Sequence, residues 1–173
     1  GGSCFPKDTR ALLRMAQEKG YQFKILDSVI EVNEEQKQRM VKKINEKVGD
    51  LRGKTIGILG LSFKPNTNDI RESSSIAIIK SLLASRVKVK AFDPAAMEEA
   101  KKIFPELEYG KDPYDVAEGA DALVLVTEWN QFRRLDLLRI KTLMKTPIFI
   151  DLRNVYDPNQ MKQLGFNYCG VGR

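Results

Sequence analysis

Cys4 is the residue of this sequence best suited to covalent chemistry. It follows two glycines and a serine and precedes Pro6, so we expect it at or next to the N-terminus of a helix. Unpaired backbone N–H groups and the helix dipole favour a thiolate there, and Lys7 adds a positive charge within the same turn. Asp8, four residues on, would project from the same side as the thiol. A thiolate beside a carboxylate that positions water suits covalent capture followed by hydrolysis. On spacing alone, a small buried cysteine before an ordinary helix fits at least as well.

A long polar loop, residues 60–75, is the second candidate site. It follows an apolar run that reads as a strand, and ligands of open parallel sheets bind at the carboxyl ends of strands. Phe63 could stack on a base, while Lys64 and Arg71 could meet phosphates. The serines at 73–75 open the next predicted helix and offer N–H groups to an anion. The glycines of this region do not form the G-x-G-x-x-G dinucleotide fingerprint. A long loop without a ligand is the competing interpretation.

The end of the last predicted strand provides a third candidate, Arg153, at the same edge of the sheet. Its guanidinium could bind a ligand phosphate through two hydrogen bonds, although a structural salt bridge explains it equally well. Asp93, at the end of the second predicted strand, is interpreted as a turn and capping residue. Cys169 has no predicted role.

Composition limits the remaining possibilities. The chain has 173 residues, 42% hydrophobic and 30% charged, as expected of an ordinary soluble globular protein with one or two domains. It has no histidine, which excludes Ser-His-Asp and Cys-His catalysis and the usual zinc ligand sets, so no metal site is predicted. Two distant cysteines indicate free thiols in a reducing cytoplasm.

The net charge of +6 suits an anionic partner, but the basic residues of 37–47 alternate with glutamates, as on a solvated helix face. We therefore expect no nucleic-acid partner. The apolar runs are too short for a membrane span of about 18 residues, so no membrane partner is expected either.

Two helices are predicted in the first third of the chain. The first runs from Pro6 until Gly20 ends it, and the second from Asp27 or Ser28 to about Val48. The second helix would be about 30 Å long, which suits a packing spine or a subunit interface.

After a polar connector at 50–54 the pattern changes to apolar runs that alternate with helical stretches. Runs at 55–60, 87–92, 122–127 and 147–151 are predicted strands; the intervening helices are predicted at about 73–85, 95–103 and 131–144. Such alternation is typical of parallel strands buried on both faces, hence of a doubly wound α/β domain. The chain is thus predicted to be α/β, with a helical region over 1–50 and a Rossmann-like domain over 51–173.

Several segments together resemble the UDP-glucose/GDP-mannose dehydrogenase family. Residues 1–8, Gly-Gly-Ser-Cys-Phe-Pro-Lys-Asp, resemble its catalytic-cysteine signature. Phe63-Lys64 followed by Asn68-Asp-Ile-Arg-Glu-Ser73 resembles its substrate loop, and Asp151 to Pro158 resembles its closing strand motif. Thr127-Glu-Trp129 also fits, and the resemblance extends over essentially the whole chain. Phe5 and Lys7 beside the cysteine favour the branch that acts on UDP-glucose over relatives that act on GDP-mannose or UDP-N-acetylhexosamines.

The resemblance implies oxidation of UDP-glucose to UDP-glucuronate, with NAD accepting two hydrides. Cys4 would form a thiohemiacetal and then a thioester, and Asp8 would help position or activate the hydrolytic water. Lys7 would lie near the nicotinamide and Arg71 near the cofactor. The substrate UDP-sugar would be held by Phe63, Lys64 and Arg153.

The resemblance also implies that parts of the family's enzyme lie outside residues 1–173. The NAD-binding domain, a catalytic lysine and a catalytic glutamate of the family precede the cysteine signature, so we expect residues 1–173 to be a C-terminal portion that starts without its own Met. The long helix at 28–48 would build a homodimer. Such a chain would bind UDP weakly without turning over. A stand-alone nucleotide-binding α/β domain without chemistry is the alternative.

Overall fold

The structure, a computed structural model, describes residues 4–172, with Cys4 described by its backbone alone. Predictions about the side chain of Cys4 therefore lie outside what the structure describes.

Two helices open the described chain, α1 (Cys4–Glu18) and α2 (Lys24–Val48). Gly20, with φ of 72°, allows the reversal between them. The second helix begins three or four residues before the predicted start at Asp27 or Ser28, and its first turn contains Asp27, which suits the positive end of the helix dipole. Only its C-terminal half enters the core, where Val41, Ile44 and Val48 are buried.

The remaining chain forms a six-stranded sheet in which all paired strands run parallel. Its strands are β1 (Thr55–Leu59), β2 (Lys88–Phe92), β3 (Glu108–Tyr109), β4 (Ala122–Leu125), β5 (Ile148–Asp151) and β6 (Asn167–Cys169). The strand order is β3-β2-β1-β4-β5-β6, with β1 paired to both β2 and β4. This order defines the doubly wound α/β fold, whose ligand crevice lies at the carboxyl edge where the order reverses, between β1 and β4. The predicted fold class is confirmed.

Helices cover both faces of this sheet. They are α3 (Ser74–Ala84), α4 (Met97–Ile103), α5 (Pro113–Ala117), α6 (Leu137–Leu143) and α7 (Pro158–Gln163), with a 3₁₀ turn at Asn130–Arg134. The prediction of a single helix over 131–144 was wrong in one respect. The segment divides into the 3₁₀ turn and α6. Asp136 causes the division: its carboxylate accepts the N–H of Arg139 at 3.0 Å and caps a new helix.

The core has two parts, one on each face of the sheet. The first joins α2, α3 and α4 to the sheet and contains Ile44, Ile56 and Ile78. The second joins α5, α6 and α7 to the other face and contains Phe132 and Phe149. The C-terminal half of α2 is thus built into the α/β core, which places the middle of α2 beside the carboxyl edge of the sheet. Within residues 4–172, no helix combines the length and apolar character needed to cross a membrane.

Candidate functional site

A polar cleft of about 440 Å³ lies between α2 and the carboxyl edge of the sheet. Three segments form its walls: the middle of α2, the β1–α3 loop with the start of α3, and the residue that follows β5 by two positions. The lining residues are Asn33, Gln36, Lys37, Met40, Phe63, Lys64, Glu72, Ser73, Ser74 and Arg153. The structure therefore brings together Phe63, Lys64 and Arg153, the three residues that the sequence suggested for one ligand.

The β1–α3 loop has a defined shape near Phe63. The backbone N–H of Phe63 donates to the carbonyl of Asp69 at 3.0 Å, which closes the loop on itself. The Lys64 ammonium lies 5.4 Å from the centroid of the Phe63 ring, within cation–π range. An aromatic face and a cation are thus presented side by side at the cleft.

Ser73 ends this loop by capping α3. Its hydroxyl accepts the N–H of Ser75 at 3.4 Å, and the hydroxyl of Ser75 donates to the carbonyl of Leu61 at 2.7 Å. The first turn of α3 therefore adjoins the cleft, and its N-terminal dipole favours an anion there.

Asp93 holds the base of the loop, a role wider than the turn predicted for it. One carboxylate oxygen accepts the N–H groups of Ala95 and Ala96, which confirms the turn; the cap was wrong, because α4 starts later, with Ala96 at its N-cap and no side-chain cap. The other accepts the N–H groups of Leu61 and Ser62, at 2.7 and 3.1 Å. The same oxygen accepts the indole N–H of Trp129 at 3.1 Å. The sequence shows only an aspartate that follows a strand. It does not show that N–H groups more than 30 residues away in the chain donate to this side chain.

Arg153 lies in the cleft and also forms the salt bridge that was its alternative interpretation. Its Nη2 donates to Oε1 of Glu128 at 2.7 Å, while Nε is 2.5 Å from Oε2 in a charge contact with poor hydrogen-bond geometry. Burial would raise the pKa of Glu128, but the hydrogen bond and charge of Arg153 outweigh it and hold that pKa below its ordinary value. A guanidinium has five donors, so Arg153 can keep this partner and still meet an anion. Sequence reasoning gave Glu128 no role.

Two cleft residues that the sequence did not suggest are Lys37 and Glu72. The side chain of Lys37 is only 13% exposed, and its Nζ lies 3.4 Å from Glu72 and 3.0 Å from Glu34. Arg10 of α1 completes the group with a hydrogen bond of 2.7 Å to Glu72 and one of 2.8 Å to Glu34. The alternating charges of 37–47 predict a solvated helix face, which is wrong for Lys37 because α2 turns this residue towards the loop.

Arg71 is placed away from the cleft walls. Its side chain is 82% exposed and forms two hydrogen bonds with the carboxylate of Asp69, at 3.0 and 2.8 Å. The loop sequence groups Arg71 with Lys64 as a possible phosphate contact, but of these two only Lys64 lines the cleft. The assignment of Arg71 to the cofactor, which the resemblance implies, stays a prediction.

Lys7 and Asp8 lie on the first turns of α1 and form an exposed ion pair with a separation of 3.5 Å. Neither lines the cleft. A smaller cavity of about 80 Å³ between α1 and α2 is lined by Pro6 and Arg10 and shares Asn33 with the cleft. The start of α1 therefore adjoins the cleft, whereas the suggested pairing of Asp8 with the thiol of Cys4 lies outside what the structure describes.

A doubly wound sheet with a polar cleft at its carboxyl edge has the arrangement in which open α/β proteins bind ligands. Residues 57–158 match the UDP-binding domain of the UDP-glucose/GDP-mannose dehydrogenase family, and residues 1–35 match the central domain of that family. The chain belongs to the UDP-glucose/GDP-mannose dehydrogenase family.

Individual relatives agree with this assignment. The UDP-glucose 6-dehydrogenase of Rhizobium meliloti (strain 1021) is 45% identical over 174 residues, which cover 100% of this chain and 40% of that protein. A solved UDP-glucose dehydrogenase from the hyperthermophilic archaeon Pyrobaculum islandicum is similar with a TM-score of 0.78 and 36% identity, over 87% of this chain and 34% of that chain. A UDP-D-ManNAc dehydrogenase from Pyrococcus horikoshii gives a TM-score of 0.82 and 27% identity, over 100% of this chain and 38% of that chain. The chain spans about 40% of the length of the curated relatives it matches.

Proposed function

We propose that this chain is the C-terminal portion of an NAD-dependent UDP-glucose 6-dehydrogenase. In this proposal residues 51–173 bind the UDP-sugar, and residues 1–50 carry the catalytic cysteine and the dimerisation helix. The observation that supports it best is the cleft in which Phe63, Lys64 and Arg153 converge from two distant loops. The 45% identity to a UDP-glucose 6-dehydrogenase over the whole chain favours UDP-glucose as the substrate.

UDP binding is proposed to use two cations and one aromatic ring of the cleft. Lys64 and Arg153 would bind the pyrophosphate, Lys64 as a point charge and Arg153 through its fork of donors. Phe63 offers an apolar ring face for the nucleotide. The N-terminal turn of α3, capped by Ser73, would add its dipole to the attraction for the phosphates.

Cys4 is the proposed nucleophile. Its sulfur would add to the carbon at the aldehyde level to give a thiohemiacetal, and loss of a hydride from that carbon together with the proton of its hydroxyl would leave a thioester. Asp8 would position or activate the water that cleaves the thioester, releasing the carboxylate and restoring the thiolate. Asp8 follows the cysteine by four residues on one helix, a spacing that brings two positions to the same side of a helix.

NAD would accept one hydride when bound, so the two hydrides would need two molecules of NAD. The G-x-G-x-x-G fingerprint is absent from these 173 residues, so the binding of the dinucleotide is proposed to rest on other parts of a longer protein. Lys7 and Arg71, both largely exposed, are the residues of this chain proposed to face it.

A second candidate is a related dehydrogenase that acts on another nucleotide sugar. The similarity to a UDP-D-ManNAc dehydrogenase favours it, because the two folds superimpose over the whole chain. The residues proposed here contact the UDP part, which both kinds of substrate share.

UDP titration by calorimetry tests the binding half of the proposal. UDP should bind the purified 173-residue chain, and Lys64→Met should weaken binding about tenfold, as loss of one charge-assisted contact does. Lys80→Met is the matched control, since Lys80 is an exposed lysine on α3 outside the cleft walls. Absence of binding at millimolar UDP, or equal losses in the two variants, would refute the assigned cleft. GDP in place of UDP distinguishes the two base classes within the family.

A further inference from the structure

Four charged side chains tie the cysteine-bearing helix α1 to the loop that lines the cleft. Glu72 belongs to the β1–α3 loop, Arg10 to α1, and Glu34 and Lys37 to α2. Arg10 donates to both oxygens of Glu72, at 2.7 and 3.2 Å, and to Glu34 at 2.8 Å. Lys37 lies on the other side of the same two carboxylates. Two cations and two anions thus alternate around a closed group, which we call the charge ring.

The backbone conformation of Glu72 helps to set the direction of its side chain. Its φ of 57° lies in the left-handed region, which is uncommon for residues other than glycine and is retained where the surroundings fix the conformation. The preceding Arg71 points outwards to Asp69, and the following Ser73 already caps α3. This left-handed residue turns the chain so that the carboxylate of Glu72 faces α1 and α2.

The electrostatics of the charge ring agree with its geometry. Arg10 lowers the pKa of Glu72, chiefly through their hydrogen bond, and the same bond raises the pKa of Arg10. A bidentate arginine–carboxylate pair fixes distance and angle together, which an isolated lysine pair does not. Both side chains are partly exposed, so the pair contributes little binding energy between α1 and the loop. Its main effect is to fix the orientation of α1 relative to the loop.

Arg10 also stands close to the proposed nucleophile along the helix. It is six residues after Cys4, so about 9 Å of helix axis separates the two positions at 1.5 Å per residue. A rotation of α1 about the Arg10–Glu72 contact would therefore displace its first turn with respect to the cleft.

We propose that Glu72 is a positioning residue, which holds the first turns of α1 at a fixed place relative to the UDP-sugar cleft through Arg10. Lys37 holds its carboxylate from α2, and Glu34 holds the two cations, Arg10 and Lys37. The consequence for catalysis rests on the proposed function, because it requires that Cys4 attacks a sugar bound in this cleft. The coupling of α1 to the β1–α3 loop through Arg10 and Glu72 does not depend on the proposed function.

Amide hydrogen exchange of the 173-residue chain tests the coupling directly. Glu72→Gln should speed exchange of the amides of α1 about threefold or more, in line with loss of one ionic contact, while strands β1 and β4 keep their protection. Glu98→Gln is the control, since it removes a glutamate from the exposed pair with Lys101 on α4, and it should leave α1 unchanged. Unaltered exchange in α1, or an equal rise in α1 and in the sheet, would overturn the proposal.

A second variant separates coupling from simple loss of charge. Arg10→Met should raise exchange in α1 as Glu72→Gln does, and the effect of the double variant should fall clearly short of the sum of the two, because both single variants already lack the contact between Arg10 and Glu72. Additive effects of the two substitutions would show that the residues act independently and would refute the pairing.

Kinetics of the longer enzyme test the catalytic consequence. Glu72→Gln should lower kcat about tenfold and leave KM for UDP-glucose within about twofold, because misplacement of a nucleophile slows the chemistry without removing binding contacts. A raised KM with unchanged kcat would assign Glu72 to substrate binding instead and contradict positioning. An enzyme without any activity towards UDP-sugars would refute the proposed function, and the exchange experiment would still decide the coupling.

Discussion

Asp93 shows how one buried carboxylate can shape a loop, here the β1–α3 loop. It is fully buried, and its two oxygens accept hydrogen bonds from the strand-to-helix turn that follows it and from the base of the β1–α3 loop. Trp129, beyond β4, donates to the same group. The residues of three separate loops thus meet at one side chain, directly below the segment that presents Phe63 and Lys64.

Replacing this carboxylate by an amide should be costly. In Asp93→Asn one of the two acceptor oxygens becomes an NH₂ group, which would face N–H donors and leave buried groups unsatisfied. The expected loss in the free energy of unfolding is about 3 kcal/mol, measured by urea denaturation. Asp112→Asn is the matched control, because Asp112 caps the exposed start of α5 and asparagine caps helices equally well. A loss below about 1 kcal/mol in Asp93→Asn would show that the loop does not depend on this acceptor.

At the scale of elements, four strands and the principal helices could be predicted because their apolar runs are long and bounded by turns. Strands β3 and β6 could not, since runs of two or three residues carry no periodicity. The cleft residues after β1 and β5 could be expected together, because the carboxyl ends of parallel strands share one edge. The contact of Arg10 with Glu72 could not be predicted, because the two residues are far apart in sequence. Their approach depends on how α1 and α2 pack against the rest of the chain, which local patterns do not encode.

The junction of β1 with the loop depends on the absence of a side chain at Gly60. Its φ is 96°, and an added Cβ would lie 2.5 Å from Cβ of Thr127 and 2.6 Å from its backbone N. Backbone cannot yield as a side chain can, so Gly60→Ala should destabilise by about 3 kcal/mol or more, from strain and overlap together. Gly53→Ala shares the left-handed φ but meets nothing within 4 Å, and about 1 kcal/mol is expected from strain alone.

Thermal unfolding of the two alanine variants measures this difference. Gly60→Ala should have the lower Tm, and the gap should be several degrees for a chain of this size. Equal values for both variants would mean that β1 and β4 can separate at this point without penalty, which would contradict the close approach of their carboxyl ends.

On the scale of the whole molecule, α1 and α2 leave an apolar surface uncovered. Its exposed members are Phe5, Leu12, Met15, Tyr21, Ile25, Val29 and Val32. The C-terminal half of α2 is buried in the core, whereas Ile25 and Val32 in its N-terminal half are 77% and 60% exposed. Neighbouring exposed apolar residues of this kind mark interaction sites, and the proposed homodimer would cover them.

The dimer proposal predicts the mass of the chain in solution. Sedimentation equilibrium of the unmodified chain should give twice its mass of 19.6 kDa. The double variant Ile25→Asp, Val32→Asp should give a single chain mass, because two carboxylates would be buried without partners in the interface, at a cost of several kcal/mol. Circular dichroism should show unchanged helix content, since both positions are exposed within one chain.

Leu138→Asp is the control for this interface, since Leu138 is 60% exposed on α6, away from the helices of the proposed dimer. It should keep the doubled mass. A monomeric unmodified chain at micromolar concentration would refute the assignment of α2 as the dimerisation helix. Dissociation of the Leu138→Asp variant would instead place the interface on the α/β domain, and the apolar surface of α1 and α2 would then need a different partner.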